Sequence, residues 1–347
     1  MTKTRVLIID DSALMRVVLS KMIDAAPDLE VVGCAPDAPT ARAMIKTLNP
    51  DVLTLDFHMP GMDGIEFLNR LMRLRPMPVV MVSSFTEAAS ETALKALELG
   101  AVDFIGKPRA DGRGLDDYAD ELVDRIRAAK GARLRRQGTF AAAPAAPSVS
   151  ALPERVSGQS GGRVIFIGAS TGGTEAVKDV LSGFPADCPP ILVVQHMPES
   201  FTASFARRLD RSCALCVVEA AGNEKIEPGH VYVAPGHSHL RIKRGSPGYL
   251  TELLHTPPVN RHRPSVDVLF DSAAALGPQA IGVILTGMGK DGAQGLLKMR
   301  QAGAVTFGQD EASSVIYGMP REAFQIGAVE EQCALHDIAR RVMAVAH

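Results

Sequence analysis

Val164 to Gly173 reads VIFIGASTGG, an apolar run that stops at the hydroxyl of Ser170 and continues through two glycines. A short, unbroken apolar run bounded by turn residues marks a strand buried on both faces, and Glu175 to Ser182 then carries helical spacing. Strand, tight turn and helix in that order commit this part of the chain to an α/β layer architecture. Gly168, Ser170 and Gly172 also fit G-x-S-x-G, in which a strained turn lifts a serine above the sheet edge and the glycines leave room for a substrate. The same spacing describes a plain glycine-rich strand-helix turn, so the remainder of the chain has to decide between the two.

The N-terminal part repeats the theme with charged endings. Arg5–Ile9 runs into Asp10, Asp11 and Ser12, and Ala13 to Asp24 follows with helical spacing through Leu14, Val17, Val18 and Ile23. Asp51–Leu55 ends at Asp56, before the turn-rich His58 to Gly64; Val79–Val82 ends at Ser83; Ala101–Ile105 ends at Gly106, Lys107 and Pro108. In a doubly wound parallel sheet the C-terminal strand ends converge on one crevice. Three carboxylates there repel one another unless a cation sits among them, and all-oxygen ligands suit a hard ion such as Mg²⁺. A lysine and a hydroxyl beside them suit a phosphoryl group.

On these residues, positions 4 to about 125 resemble a response-regulator receiver domain. The resemblance implies a flavodoxin-like fold, with Asp10 and Asp11 as the acidic pair, Asp56 as phospho-acceptor, Ser83 as switch hydroxyl, Lys107 as the lysine and Phe104 as the aromatic switch. It further implies Mg²⁺ on Asp10, Asp11, Asp56 and the backbone carbonyl of His58, and a histidine kinase as phosphoryl donor. Phosphorylation adds about two negative charges at Asp56 and draws Ser83 and Lys107 toward it.

From Gln137 to Gly162 the composition turns to Ala, Pro, Ser and Gly, which buries too little apolar area to order itself. The expected division is therefore a receiver over 1–130, a linker over 131–162 and a second domain over 163–347. A chain of 347 residues accommodates two such cores. The second domain alternates strand and helix, with an antiparallel hairpin at His239–Lys243 and Tyr249–Leu254, and is expected to be doubly wound and mostly parallel. His196 follows the buried strand ILVVQ, and Asp291 lies in GMGKDG after AIGVILT. A histidine at a strand end titrates near neutrality and can take the serine proton, and an aspartate can orient it. Asp291 is equally suited to cap a helix. Gly287, Gly289 and Gly292 also satisfy G-x-G-x-x-G with Asp310 downstream, a dinucleotide-binding pattern that would make the chain an oxidoreductase. Only 55 residues follow Gly292, and that reading leaves Ser170 and His196 without a role.

GASTGG, QHMP and LTGMGKDGA together resemble the chemotaxis protein-glutamate methylesterase family, over nearly the whole chain. The resemblance implies Ser170 as nucleophile, His196 as base and Asp291 as orienter, with the Thr171 and Met288 amides as candidates for the oxyanion hole. It implies hydrolysis of glutamyl methyl esters on chemoreceptors, with glutamine deamidation as a related reaction and no cofactor for the esterase step. It also implies that the unphosphorylated receiver covers the cleft. A non-catalytic two-domain signalling adaptor is the rival from another class, and a DNA-binding regulator lacks the basic recognition helix it would need.

The net charge of −2 excludes a general affinity for nucleic acid, and no apolar run reaches a membrane span, so the expectation is a cytoplasmic protein. Five scattered cysteines form no disulfide framework, and the Cys213-x-x-Cys216 pair lacks the partners of a zinc site. His237 and His239 read as surface strand positions, and Arg261, His262 and Arg263 as a basic loop facing an acidic receptor.

Overall fold

The computed structural model describes residues 2–83, 87–107, 114–134, 162–246 and 248–346. Most of the expected linker lies outside those residues. The first unit runs β1 (Thr4–Ile9), α1 (Ala13–Asp24), β2 (Leu29–Ala35), α2 (Ala38–Leu48), β3 (Val52–Asp56), α3 (Gly64–Leu74), β4 (Val79–Ser83), α4 (Glu87–Glu98), β5 (Asp103–Gly106) and α5 (Leu115–Lys130). Its five strands pair in parallel in the order β2-β1-β3-β4-β5. This is the flavodoxin-like order the sequence implied, with the chain reversing direction across the sheet beside β1. Ser12, Asp37 and Asp63 open α1, α2 and α3 by accepting hydrogen bonds from amides three residues on, which satisfies donors the helices leave free.

The second unit runs β6 (Val164–Ala169), α6 (Gly173–Ser182), β7 (Ile191–Gln195), α7 (Glu199–Asp210), β8 (Cys216–Glu219), β9 (His230–Val233), β10 (His239–Arg244), β11 (Tyr249–Leu254), α8 (Val266–Ala273), β12 (Ala280–Ile284), α9 (Ala293–Gln301), β13 (Val305–Gln309), α10 (Met319–Gln325), β14 (Glu331–Cys333) and α11 (Ile338–Ala346). Seven of its strands form a parallel sheet, ordered β14-β13-β12-β6-β7-β9-β8, and β10-β11 stand apart as the antiparallel hairpin. β6 is fully buried and sits where the order reverses, with β7 on one side and β12 on the other. Ligand sites in such sheets form at the C-terminal strand ends beside that reversal. Ser170, His196 and Asp291 all come from those ends.

Five elements were not anticipated: β2, α2, α4, α10 and β14. In β2 only the terminal Leu29 and Ala35 are fully buried, because it is an edge strand, so its sequence neither alternates nor runs apolar throughout. β14 is only three residues long and α10 seven, below the length at which periodicity speaks.

The two units meet along one seam. Phe104 of β5 stacks on Phe201 of α7 with ring centroids 4.4 Å apart, and both rings are buried. Around this pair, Arg208 bonds Glu98 at 2.6 Å and the Leu94 carbonyl at 2.9 Å, and the Ser90 hydroxyl donates to the Ser200 carbonyl. The deepest polar contact is the Thr171 hydroxyl donating to Asp103 at 2.6 Å. No described helix is long and apolar enough to cross a membrane.

The glycines of the serine turn do packing work. A Cβ on Gly168 would stand 2.2 Å from Cγ1 of Val266, so α8 presses directly on the strand and no substrate approaches there. Gly172 opens α6 at φ 77°, in the left-handed region, with Val315 closing the space beside it. Gly168→Ala should therefore overpack this contact and lower stability by about 1–3 kcal/mol, read as a fall in the midpoint of chemical denaturation.

Candidate active site

β6 delivers Ser170 to a turn fixed from both sides. Its amide donates to the Thr286 carbonyl beyond β12 at 3.0 Å, and its carbonyl accepts from the Gly173 amide at 2.7 Å. The buried Gln195 side chain, at the end of β7, donates from one nitrogen to the Ser170 carbonyl (2.9 Å) and the His196 carbonyl (3.2 Å). The serine and histidine segments are thereby tied at the backbone. A Cβ on Gly287 would lie 2.7 Å from that of Ser170, which places the Met288 segment against the serine turn. Thr171 follows directly and is buried.

His196 and Asp291 meet through Nε2 and Oδ2 at 2.9 Å, with only 6% and 1% of their side chains exposed. Asp291 does not cap its own helix: Gly292 opens α9 with no side-chain cap. Its carboxylate instead faces the first turn of α8, accepting from the Val266 amide (2.6 Å), the Asp267 amide (3.3 Å), the Ser265 hydroxyl (2.8 Å) and Asn260 Nδ2 (2.7 Å). Burial opposes ionisation of Asp291, but the hydrogen bonds from His196, Asn260 and Ser265 outweigh it and hold the carboxyl far below its usual range. The helix N-terminus supplies favourable charge as well. A permanently ionised Asp291 accepts a proton-bearing Nε2, which leaves Nδ1 as the basic nitrogen of the ring. Nδ1 is buried and takes no hydrogen bond among the described residues.

The loop read as basic and receptor-facing is divided in function. Val259 and His262 exchange both backbone hydrogen bonds across Asn260 and Arg261, whose φ values are 53° and 68°. That is a two-residue turn of the type asparagine favours. Arg261 points outward, 3.8 Å from Asp120 and Asp124 of α5. His262 turns inward and stacks on the His196 ring, centroids 3.7 Å apart and planes 13° apart. His239, expected at the surface, is fully buried: Nδ1 accepts from the Ser265 amide at 3.0 Å and Nε2 donates to the Pro257 carbonyl at 3.1 Å, pinning both ends of this loop. A strand-opening histidine looks polar in sequence, and only the loop folding back over it makes it core. His237 precedes the strand and bonds the Ser238 hydroxyl. Cys213 is half-buried and Cys216 exposed on β8.

Two of the three glycines of the GMGKDG pattern are occupied from within. A Cβ on Gly292 would stand 2.4 Å from Val266, and one on Gly287 meets Met319 and Ser170, whereas Gly289 faces open space; the first and third glycines thus serve packing.

At the end of β3, Asp56 is buried beside Asp10, and Lys107 Nζ reaches both, at 2.8 and 2.9 Å. Ligand atoms of Asp10, Asp11 and Asp56 lie within 4.8 Å of one another. Burial raises the Asp56 pKa against the opposing pull of Lys107, and its Oδ1 takes no hydrogen bond among the described residues. An orphaned carboxylate oxygen among three acids with one lysine is a donor set that fits a divalent cation. His58 is exposed next to it. Ser83 closes β4, but its side chain lies outside the described residues.

The CheB methylesterase family profile matches residues 165–342, and the response regulator receiver domain profile matches 6–117. The chain is 74% identical over 343 residues, 98% of each chain, to protein-glutamate methylesterase/protein-glutamine glutaminase 1 of Dechloromonas aromatica, and 59% identical to its counterpart in Nitrosomonas europaea, covering 99% of this chain and 97% of that one. The crystal structure of the Thermotoga maritima CheB methylesterase catalytic domain aligns with a TM-score of 0.52 at 37% identity, covering 53% of this chain and 98% of that one.

The His262 ring has a consequence for acid stability. Burial, followed by the neighbouring His196 charge, pushes its pKa from 6.5 to about 3. Between those values the unfolded chain binds the proton and the folded chain does not, so stability falls as pH drops from 6.5 toward 3. Denaturation series across that window should show a shallower pH slope in His262→Phe than in the parent.

Proposed function

The chain belongs to the CheB methylesterase family, and from that premise we propose which residues carry its reaction and how its receiver governs them. It is a protein-glutamate methylesterase: a glutamyl methyl ester is hydrolysed to glutamate and methanol, in the service of chemotaxis adaptation. Glutamine deamidation is the same acyl transfer with ammonia as leaving group. The observation that carries the assignment of roles is the His196–Asp291 pair, which leaves one unpartnered basic nitrogen on a residue whose amide bonds the Ala169 carbonyl, next to Ser170.

Ser170 Oγ attacks the ester carbonyl while its proton passes to Nδ1 of His196. Asp291, held ionised, keeps the ring's tautomer and stabilises the imidazolium. The oxyanion is received by the Thr171 and Met288 amides, which flank the serine on its two sides. As the tetrahedral centre collapses, the imidazolium returns its proton to the departing methoxide, and methanol leaves. Water, activated by the same nitrogen, then hydrolyses the Ser170 acyl ester and releases the glutamate.

Asp56 accepts the phosphoryl group from a histidine kinase. Asp10, Asp11, Asp56 and the His58 carbonyl would hold Mg²⁺, which neutralises phosphoryl charge when bound. Lys107 then exchanges part of its contact with Asp56 for the phosphoryl oxygens, and Ser83 follows. Phe104 lies between that strand-end cluster and α7, and Asp103 grips the residue after the nucleophile, so rearrangement at β5 loosens the seam over Ser170. The substrate is a methylated glutamate on a chemoreceptor.

Two measurements check this reading. Ser170→Ala should lower methanol release from methylated receptors by on the order of 10⁴-fold or more, and persistence of turnover would remove the nucleophile. A phosphoryl donor should stimulate the parent chain but not Asp56→Asn; equal stimulation of both would place the switch elsewhere.

A further inference from the structure

A base whose proton-carrying edge is fixed can still tilt about that hydrogen bond, and something must set the plane of the His196 ring. Asp291 fixes Nε2 alone. The surface that meets the face of the ring is the imidazole of His262, parallel to within 13° at 3.7 Å.

We propose that His262 is a positioning residue for the esterase reaction: its ring sets the plane of His196, and its aromatic face stabilises the imidazolium formed when His196 takes the serine proton. The proposal rests on the reading of His196 as base. Its support is the amount of structure spent on placing this one ring. The turn that carries it closes through both backbone hydrogen bonds between Val259 and His262 and holds Arg261 at φ 68°, a conformation a β-carbon disfavours. Asn260 fastens the turn to Asp291 and Asp267, each at 2.7 Å, and His239 fastens both flanks of the loop. The same carboxylate therefore orients His196 at its edge and, through Asn260, the ring that covers its face.

The charge state follows from the surroundings. His196 and Asp291 face His262 from the strand-end loops, Arg125 faces it from α5 of the receiver, and Arg261 from its own turn. Burial and the positive neighbours outweigh Asp291, so the ring stays neutral at working pH. A neutral aromatic face within about 6 Å of a cation attracts it, whereas a second imidazolium would repel it. His262 itself carries no proton in the cycle.

The test uses the full-length chain, activated by a small-molecule phosphoryl donor, with methanol release from methylated receptor membranes as readout. His262→Leu keeps apolar bulk without an aromatic face and should lose roughly tenfold in kcat, a part of the roughly 10²–10⁴-fold that a positioned acid–base group contributes, with KM changed by less than about twofold. His262→Phe should recover most of that loss and keep the acid limb of the pH–rate profile where the parent has it. Thermal unfolding of both variants monitors folding, and the Phe/Leu contrast keeps the comparison between two apolar residues of similar fit. Parent-like kcat in His262→Leu overturns the proposal, as does a Phe variant no better than Leu, or an acid limb displaced by about a unit in Phe, since one unit in pKa reports a changed proton-binding group. His196→Ala run alongside separates the layers. If it retains activity, the base assignment falls and this inference with it; if it is inactive while His262→Leu matches the parent, only the role of His262 is lost.

Discussion

The carboxylate of Asp291 is the interaction on which the catalytic half depends. Buried in a sheet edge, it would be strongly disfavoured as an anion without compensation. Compensation arrives from four directions: the imidazole of His196, the first amides of α8, the Ser265 hydroxyl and the Asn260 amide. The donors come from three segments, so satisfying one charge fixes the end of β7, the start of α8 and the 259–262 turn relative to the β12–α9 loop that carries Asp291. Removing that charge would leave several buried donors unpaired together, a larger loss than any single bond. Hydrogen bonding and catalytic geometry are here one requirement.

The two sheets solve the same positional problem twice. β1 and β6 each lie where strand order reverses, and each gathers its reactive groups at the carboxyl ends. The receiver collects acids and a lysine, and the other sheet a hydroxyl, an imidazole and an acid. What joins them is short: β5 carries Asp103 and Phe104 in succession, one bonded to Thr171 and the other stacked on Phe201. Signal and chemistry are separated by the length of one strand.

Much of this was readable in the sequence because strand ends advertise themselves. Apolar runs that stop at Asp10, Asp56, Lys107, Ser170, His196 or Asp291 place those residues by backbone geometry alone, without any knowledge of packing. The class, the parallel sheets and the hairpin followed from the same runs. Residues whose role comes from tertiary folding were opaque. Asn260, His262 and Ser265 sit in a polar loop whose composition suggests solvent, and the turn that inverts His262 is signalled only by an asparagine. Gln195 ends an apolar strand, where a polar side chain looks incidental until Ser170 and His196 are brought beside it. Gly168 was legible as a glycine but not for its reason: the pressure comes from Val266, nearly a hundred residues on. β2 and β14 are edge strands, and partial exposure erases the pattern that identifies central ones.

The seam between the halves has a property that bears on reversibility. Asp103 bonds Thr171 across it but keeps Arg125 on its own side, and Arg208 bonds Glu98 across it but keeps Glu175 at its own. Lys178 likewise has Glu175 within 3.5 Å, and Glu98 is 43% exposed, open to water. Among the described residues these charges thus retain a resident partner or solvent when the halves part. The apolar surface is a different matter, since the buried residues around Leu94, Leu97 and Phe104 form one continuous cluster with Ala176, Phe201 and Phe205 across the joint. Parting the halves therefore strands little charge but wets a shared apolar area, so the closed state is held by burial and the polar contacts set where it closes.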